Sequence, residues 1–182
     1  MTLFRFFAVL LAVLMAHPVA ARPLDAGEAK ALDASLGAYL RAIGRSDAKG
    51  IVAALPPRVL NVFAGATGVE TRKLEATLVD QTRTLMKGTT VRDVTADQSD
   101  LDAGEDALAD GTKVTWVLIP TAFVTEANGA VMRNEQPLLA VEDGETWYFL
   151  RIDGPERQQL AALAYPFLAG REFPPATVTA VK

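Results

Sequence analysis

The side chains whose type and placement could serve a ligand are Tyr39, Gln81, Trp116 and Trp147. Tyr39 lies on a helical stripe, where its hydroxyl could donate to an oxygen carrying negative charge. It could equally be a core tyrosine bonded to a backbone carbonyl. Gln81 interrupts an apolar line on a long helix. It reads either as a polar fixing point in a pocket or as a buried amide bonded to nearby backbone. Trp116 shares a strand face with Val114 and Leu118, and Trp147 shares one with Phe149. That spacing suits core packing and cavity lining alike. Arg133 and Arg151 fall on strands, where they could meet an anionic ligand or pair with Glu135 and Glu142.

Asp97, Asp100, Asp102, Glu105, Asp106 and Asp110 form an acidic run without a base. Carboxylate oxygens suit calcium, but the loop glycine and closing glutamate of a calcium hand are missing. The run reads as a solvated connection between strands. Neither a metal nor a cofactor is expected. Glu75 and Asp80, off the apolar line of their helix, are expected to face water.

The composition narrows the chemistry further. The chain has no cysteine and one histidine, His17. His17 falls inside an N-terminal stretch built as a cleavable export signal: Arg5, an apolar run from Phe6 to Met15, then Pro18-Val19-Ala20-Ala21 with small residues suited to signal peptidase. The apolar run is short for a membrane span. Cleavage after about residue 21 removes the only histidine, so Ser-His-Asp and Cys-His nucleophiles and nearly all zinc, copper and non-haem iron sites are excluded. The expected location is the periplasm or the medium, with no membrane span after cleavage. Without Arg5 the 18 basic side chains become 17 against 22 acidic ones, and no basic footprint for nucleic acid remains.

Helical signals fill the first half. Asp25 and Glu28 have capping-box spacing and open a helix to about Arg45 with Leu32, Leu36, Tyr39, Leu40 and Ile43 in its stripe. Asp47 caps a short second helix, and Pro57 opens a third that buries Val59, Leu60 and Phe63. Glu70 to Lys87 is a long amphipathic helix with Leu74, Leu78 and Leu85 in line, closed by Gly88. The period then changes to two, with strands over Thr89–Ala96, Thr112–Thr125, Ala130–Glu142 and Glu145–Ile152. Asn128-Gly129 and Asp143-Gly144 read as tight hairpin turns. The second would place Ala140 opposite Trp147 and Leu139 opposite Tyr148. Pro120 predicts a bulge or bend in a long strand. Large apolar groups on both faces of the last hairpin require both faces to be covered. The helix over Pro155–Leu168 or a second subunit could cover the outer one. The order is an α+β plan: residues 22–170 form one domain, and 171–182 an extended tail.

The stretch Tyr39-Leu-Arg-Ala-Ile-Gly-Arg-Ser-Asp47-Ala-Lys-Gly-Ile51-Val-Ala-Ala-Leu55 resembles the opening of the nuclear-transport-factor-2-like superfamily, which includes the ketosteroid isomerases. The resemblance spans roughly residues 25–152. It implies a cone: helices packed in the concave face of a curved antiparallel sheet around an apolar cavity, and in many members a dimer through the outer sheet face. It puts Tyr39 where the isomerases place their oxyanion donor. The place of their proton-shuttling aspartate falls on Phe63, and that of their second acidic donor near Leu138. No Asp or Glu occurs from Ala48 to Val69, so the isomerase mechanism is contradicted. The expectation is a non-catalytic exported domain that binds a small apolar or amphipathic molecule, with Tyr39, Phe63, Gln81, Trp116 and Trp147 lining its cavity, or that pairs with a copy of itself or an envelope protein. The alternative is an isomerase or lyase that joins Tyr39 to an unidentified carboxylate.

Overall fold

A computed structural model of the chain describes residues 21–181. The export signal, apart from Ala21, and His17 with it lie outside the described residues. A two-residue strand, β1 (Arg22–Pro23), precedes α1 (Ala26–Gly44). The capping box forms: Asp25 Oδ1 accepts from the Gly27 and Glu28 amides at 2.7 and 2.8 Å, and Glu28 accepts from the Asp25 amide at 2.8 Å. Asp47 caps α2 (Ala48–Ala53) by accepting from Lys49 and Gly50 at 3.1 Å each. A Cβ on Gly50 would stand 2.9 Å from that of Ala42, so glycine lets α2 close onto α1. Pro57 opens α3 (Pro57–Thr67), Gly68 ends it with φ 67°, and α4 (Thr71–Met86) follows.

The sheet is built on one long hairpin. Strands β4 (Lys113–Ala127) and β5 (Ala130–Asp143) pair without a break from Thr115 opposite Glu142 to Ala127 opposite Ala130. Asn128 and Gly129 join them with φ of 51° and 77°, the two left-handed positions of a type I′ turn. Shorter strands flank each half of this spine. Along β4, β3 (Asp102–Ala107) takes the first half and β2 (Thr89–Ala96) the second. Along β5, β6 (Thr146–Arg151) takes one half and β7 (Thr177–Ala180) the other. The neighbours change at Pro120 and Pro137, which lie directly opposite each other. The Pro120 carbonyl accepts from the Asp97 amide at 2.9 Å, so the backbone polar positions of this pair point away from the spine. Proline removes a donor where no ladder partner is needed.

Pro120 therefore marks a change of partner, and β4 carries no bulge there. The register break lies in β2 between Arg92 and Thr95, with Asp93 at φ 55°. The second hairpin also differs from its expected register. Asp143 pairs with Thr146, so the turn is Gly144-Glu145, Ala140 faces Phe149 and Leu139 faces Leu150. Gly144, at φ 71°, takes the first central position, the place glycine occupies in a II′ turn. A slip of two residues keeps every side chain on its face, so both faces still need cover. The acidic run departs most from expectation: Asp102–Ala107 is β3. Its inward positions carry only Ala103 and Gly104, while Glu105 pairs with Arg22 and Asp106 with Arg171. Tertiary context overrides low strand propensity.

Helix α1 lies across the concave face from β6 to β2, burying Leu32, Leu36 and Tyr39 on Val117, Ile119, Ala140, Trp147 and Phe149. The opposite face, with Leu139, Val141, Leu150 and Ile152, is covered by α3, by α5 (Pro155–Ala164) and by a 3-10 turn (Pro166–Leu168). Pro166 stops α5 four residues short of its expected end. Ala161, Ala164, Tyr165 and Leu168 make the contact, while Leu163 is exposed. The β6 edge is closed by the helices, its Phe149 amide donating to the Ala54 carbonyl at 2.7 Å. The fold is α+β, with N-terminal helices in the concave face of a curved antiparallel sheet and a C-terminal helix behind it.

Trp116 pins the outer layer. Its ring covers its cross-strand partner Gly104 so closely that a Cβ there would meet Cε2 at 2.4 Å. Its indole donates to Asp106 at 3.0 Å, and the Arg171 guanidinium lies 4.8 Å above the ring. Gly104→Ala is expected to displace this ring and lower stability by about 1–3 kcal/mol. Urea unfolding with near-ultraviolet circular dichroism checks it; an unchanged midpoint and tryptophan signal would remove the requirement for glycine.

Candidate functional site

Beyond the Pro120–Pro137 line, α1 no longer fills the concave face. There β4 presents Thr121, Phe123 and Thr125, and β5 presents Gln136, on the side that carries Leu138 and Phe149. Helix α4 stands opposite. It is anchored through Leu74, its one fully buried residue. The space left between sheet and helices is a cavity of about 490 Å³, within the ~300–1,000 Å³ typical of small-molecule sites. Tyr39 and Ile43 of α1, Ile51 and Leu55 of α2, Leu60 and Phe63 of α3 and Leu78 and Met86 of α4 complete its largely apolar wall. Phe63 and Leu85 line it while 37% and 77% exposed, which puts apolar side chains at its mouth.

The five expected lining residues divide. Tyr39 and Phe63 line the cavity, although Phe63 stands at the mouth and not in the core. Leu138 lines it too. Gln81 is exposed on α4 and does not line it. Only the first turns of α4 reach the core, so the apolar line of that helix faces a void and its polar neighbour faces water. Trp116 is on the opposite sheet face, in the clamp with Asp106 and Arg171. Trp147 is buried under α1 and α2, where it floors a separate, more open concavity of about 440 Å³. Tyr39 and Phe149 border both spaces and stack with ring centroids 5.1 Å apart.

Polar groups gather at one end. Arg151 donates to Gln136 Oε1 at 3.1 Å and to Asp153 Oδ2 at 2.7 Å, and Arg157 of α5 donates to Asp153 Oδ1. Arg151 and Arg157 line the cavity; no Asp or Glu does so among the described residues. Burial alone would raise the Asp153 pKa, but the charge of Arg151 and hydrogen bonds from both arginines hold it below the ordinary carboxylate range. Such a group is a poor base at neutral pH. Burial, assisted by the charge of Glu28, raises the pKa of Glu142. Glu142 pairs with Trp147 at the other end of the concave face, outside the cavity. Arg133 pairs with Glu135 at 2.8 Å, and Arg151 takes Asp153 in place of the expected Glu142. Arg157 was not singled out from the sequence. Its signal is the spacing Arg151-x-Asp153-x-x-x-Arg157, which brings two cations to one carboxylate where a strand passes into a helix.

Tyr39 is 7% exposed. Burial raises the pKa of its hydroxyl, Arg151 and Arg157 act to lower it and Asp153 to raise it, with no hydrogen bond contributing. The hydroxyl therefore senses the charges at the arginine end of the cavity, and among the described residues it lacks the backbone partner of an ordinary core tyrosine.

Removing a hydroxyl that has no partner costs little, so Tyr39→Phe is expected to change stability at pH 7 by less than about 1 kcal/mol. The alkaline limb differs in sign. Folded Tyr39 keeps its proton above the unfolded value of about 10, so wild-type stability is full below that pH and falls as pH rises beyond it. Tyr39→Phe should flatten part of that fall. Urea midpoints between pH 7 and 11 decide: a large neutral-pH loss would show a bonded structural tyrosine, and an identical alkaline slope would show a hydroxyl whose pKa folding leaves unshifted.

No protein-family model matches the chain, and no curated protein or solved structure matches it either. The cavity's own chemistry carries the functional reading.

Proposed function

We propose that this chain is an exported, nuclear-transport-factor-2-like binding domain that holds a small apolar or amphipathic molecule in its conical cavity. The observation that carries the reading is a cavity of about 490 Å³ whose wall is mainly aliphatic and aromatic and, among the described residues, includes no carboxylate. A site of this kind gains affinity from apolar area and orientation from a few polar groups. The positions that the family resemblance assigns to acids, Phe63 and Leu138, belong to this wall, which supports binding over proton transfer. The isomerase or lyase alternative needs a base beside Tyr39. Asp153, the acid that Tyr39 senses, has both oxygens held by arginine.

Pairing with a second copy or an envelope protein is the weaker reading, because α5 and Pro166–Leu168 already cover the outer face of the β5–β6 hairpin. No helix among the described residues is long and apolar enough to cross a membrane.

Native mass spectrometry of the protein purified from its own envelope should show a co-purifying small molecule. With emptied protein, affinity for straight-chain alcohols should rise about fourfold per added methylene, the equivalent of ~0.8 kcal/mol each, until the cavity is filled. Val91→Trp, which enlarges a side chain of the wall, should weaken the longest alcohols most. An empty native mass together with no chain-length dependence sinks the cavity reading.

A further inference from the structure

The cavity is polarised, and its polar end is cationic. Arg151 and Arg157 line it, Asp153 neutralises one of the two charges, and among the described residues the wall supplies no other acid. We propose that the cavity takes a single-chain amphiphile with a carboxylate head, held by Arg151 and Arg157 with Tyr39 as a neutral donor, while its apolar chain runs toward Phe63 and α4. This inference rests on the binding reading above and specifies the ligand class for the same site.

Three observations support the head-group assignment. The Asp153 bridge uses only part of the donor capacity of the two guanidinium groups, because each carries five N–H donors; Arg151 Nη2 serves Asp153 and Gln136, and Arg157 Nη1 serves Asp153. The two arginine side chains are 43% and 49% exposed, so a head group there keeps contact with water while its chain is buried. Tyr39 lines the cavity, and among the described residues its hydroxyl has no hydrogen-bond partner, which leaves its O–H to donate. The local balance of two cations and one carboxylate matches a monoanion. A planar carboxylate also fits the arginine fork. An ammonium head would meet uncompensated like charge, and an alcohol would leave the surplus cation unpaired.

The test compares dodecanoate, dodecanol, dodecyl phosphate and dodecyltrimethylammonium on the purified protein at pH 8 by isothermal calorimetry. Dodecanoate should bind about tenfold or more tightly than dodecanol, the worth of a charge-assisted contact, and the ammonium should bind weakest. Arg151→Gln with Arg157→Gln should erase the preference of dodecanoate over dodecanol. Asp153→Asn, which removes the competing carboxylate, should tighten dodecanoate severalfold; a purely structural ion pair would give no gain. Equal binding of dodecanoate and dodecanol, tighter binding of the phosphate, or weaker dodecanoate binding in Asp153→Asn would overturn the head-group inference alone. Should the double variant fail to fold, the wild-type ranking and the Asp153→Asn shift remain decisive. If none of the amphiphiles binds, the cavity reading fails with it.

Discussion

Two prolines set opposite each other in the β4–β5 hairpin organise this molecule. Each interior strand of a sheet must satisfy its backbone on both sides, and a proline cannot donate. Pro120 and Pro137 are tolerated because their backbone positions point outward at the level where β3 gives way to β2 and β6 gives way to β7. One spine thus serves two local sheets. The half flanked by β3 and β6 is packed on both faces and forms the core. The half flanked by β2 and β7 has fewer helices to cover it, and that asymmetry creates the cavity.

The cavity follows from a mismatch of cover. Helix α1 reaches Ile119 and Leu138 and stops, and the one buried residue of α4, Leu74, lies near its start. Side chains past that line, Thr121, Phe123 and Thr125, meet space instead of a helix. Interiors are otherwise packed to crystal density, so an unfilled apolar volume of this size is a property of the architecture and not a packing defect. The polar end arises where the chain leaves β6 and enters α5: the same Asp153 that joins Arg151 to Arg157 fixes both guanidinium groups at the rim.

Much of the scaffold was readable from local signals. The capping box at Asp25 and Glu28, the Asp47 cap, the proline opening α3 and the Asn128-Gly129 turn all act over a few residues and appear as expected. β3 was not readable, since an acidic stretch becomes a strand only when Arg22, Arg171 and the Trp116 ring meet it from distant parts of the chain. The hairpin turn moved by one residue, from Asp143-Gly144 to Gly144-Glu145, and the pairing by two, because the sequence there fits more than one register and face parity could not tell them apart. Gln81 and Leu85 misled for one reason. A helical stripe shows which residues share a side, and only the neighbouring elements decide whether that side meets core, cavity or water.

By itself the sequence determined the alternation of helices and strands, their caps and turns, the need to cover both faces of the last hairpin, and a chemistry without cysteine and with one histidine. These depend on residue type and short-range spacing, where covalent geometry and local hydrogen bonds dominate. The tertiary structure alone decided that Tyr39, Phe63 and Leu138 share one cavity, that Trp116 and Trp147 belong elsewhere, and that Arg151 and Arg157 converge on Asp153. A cavity is the space its neighbours fail to fill, so it is fixed by contacts between residues far apart in the chain.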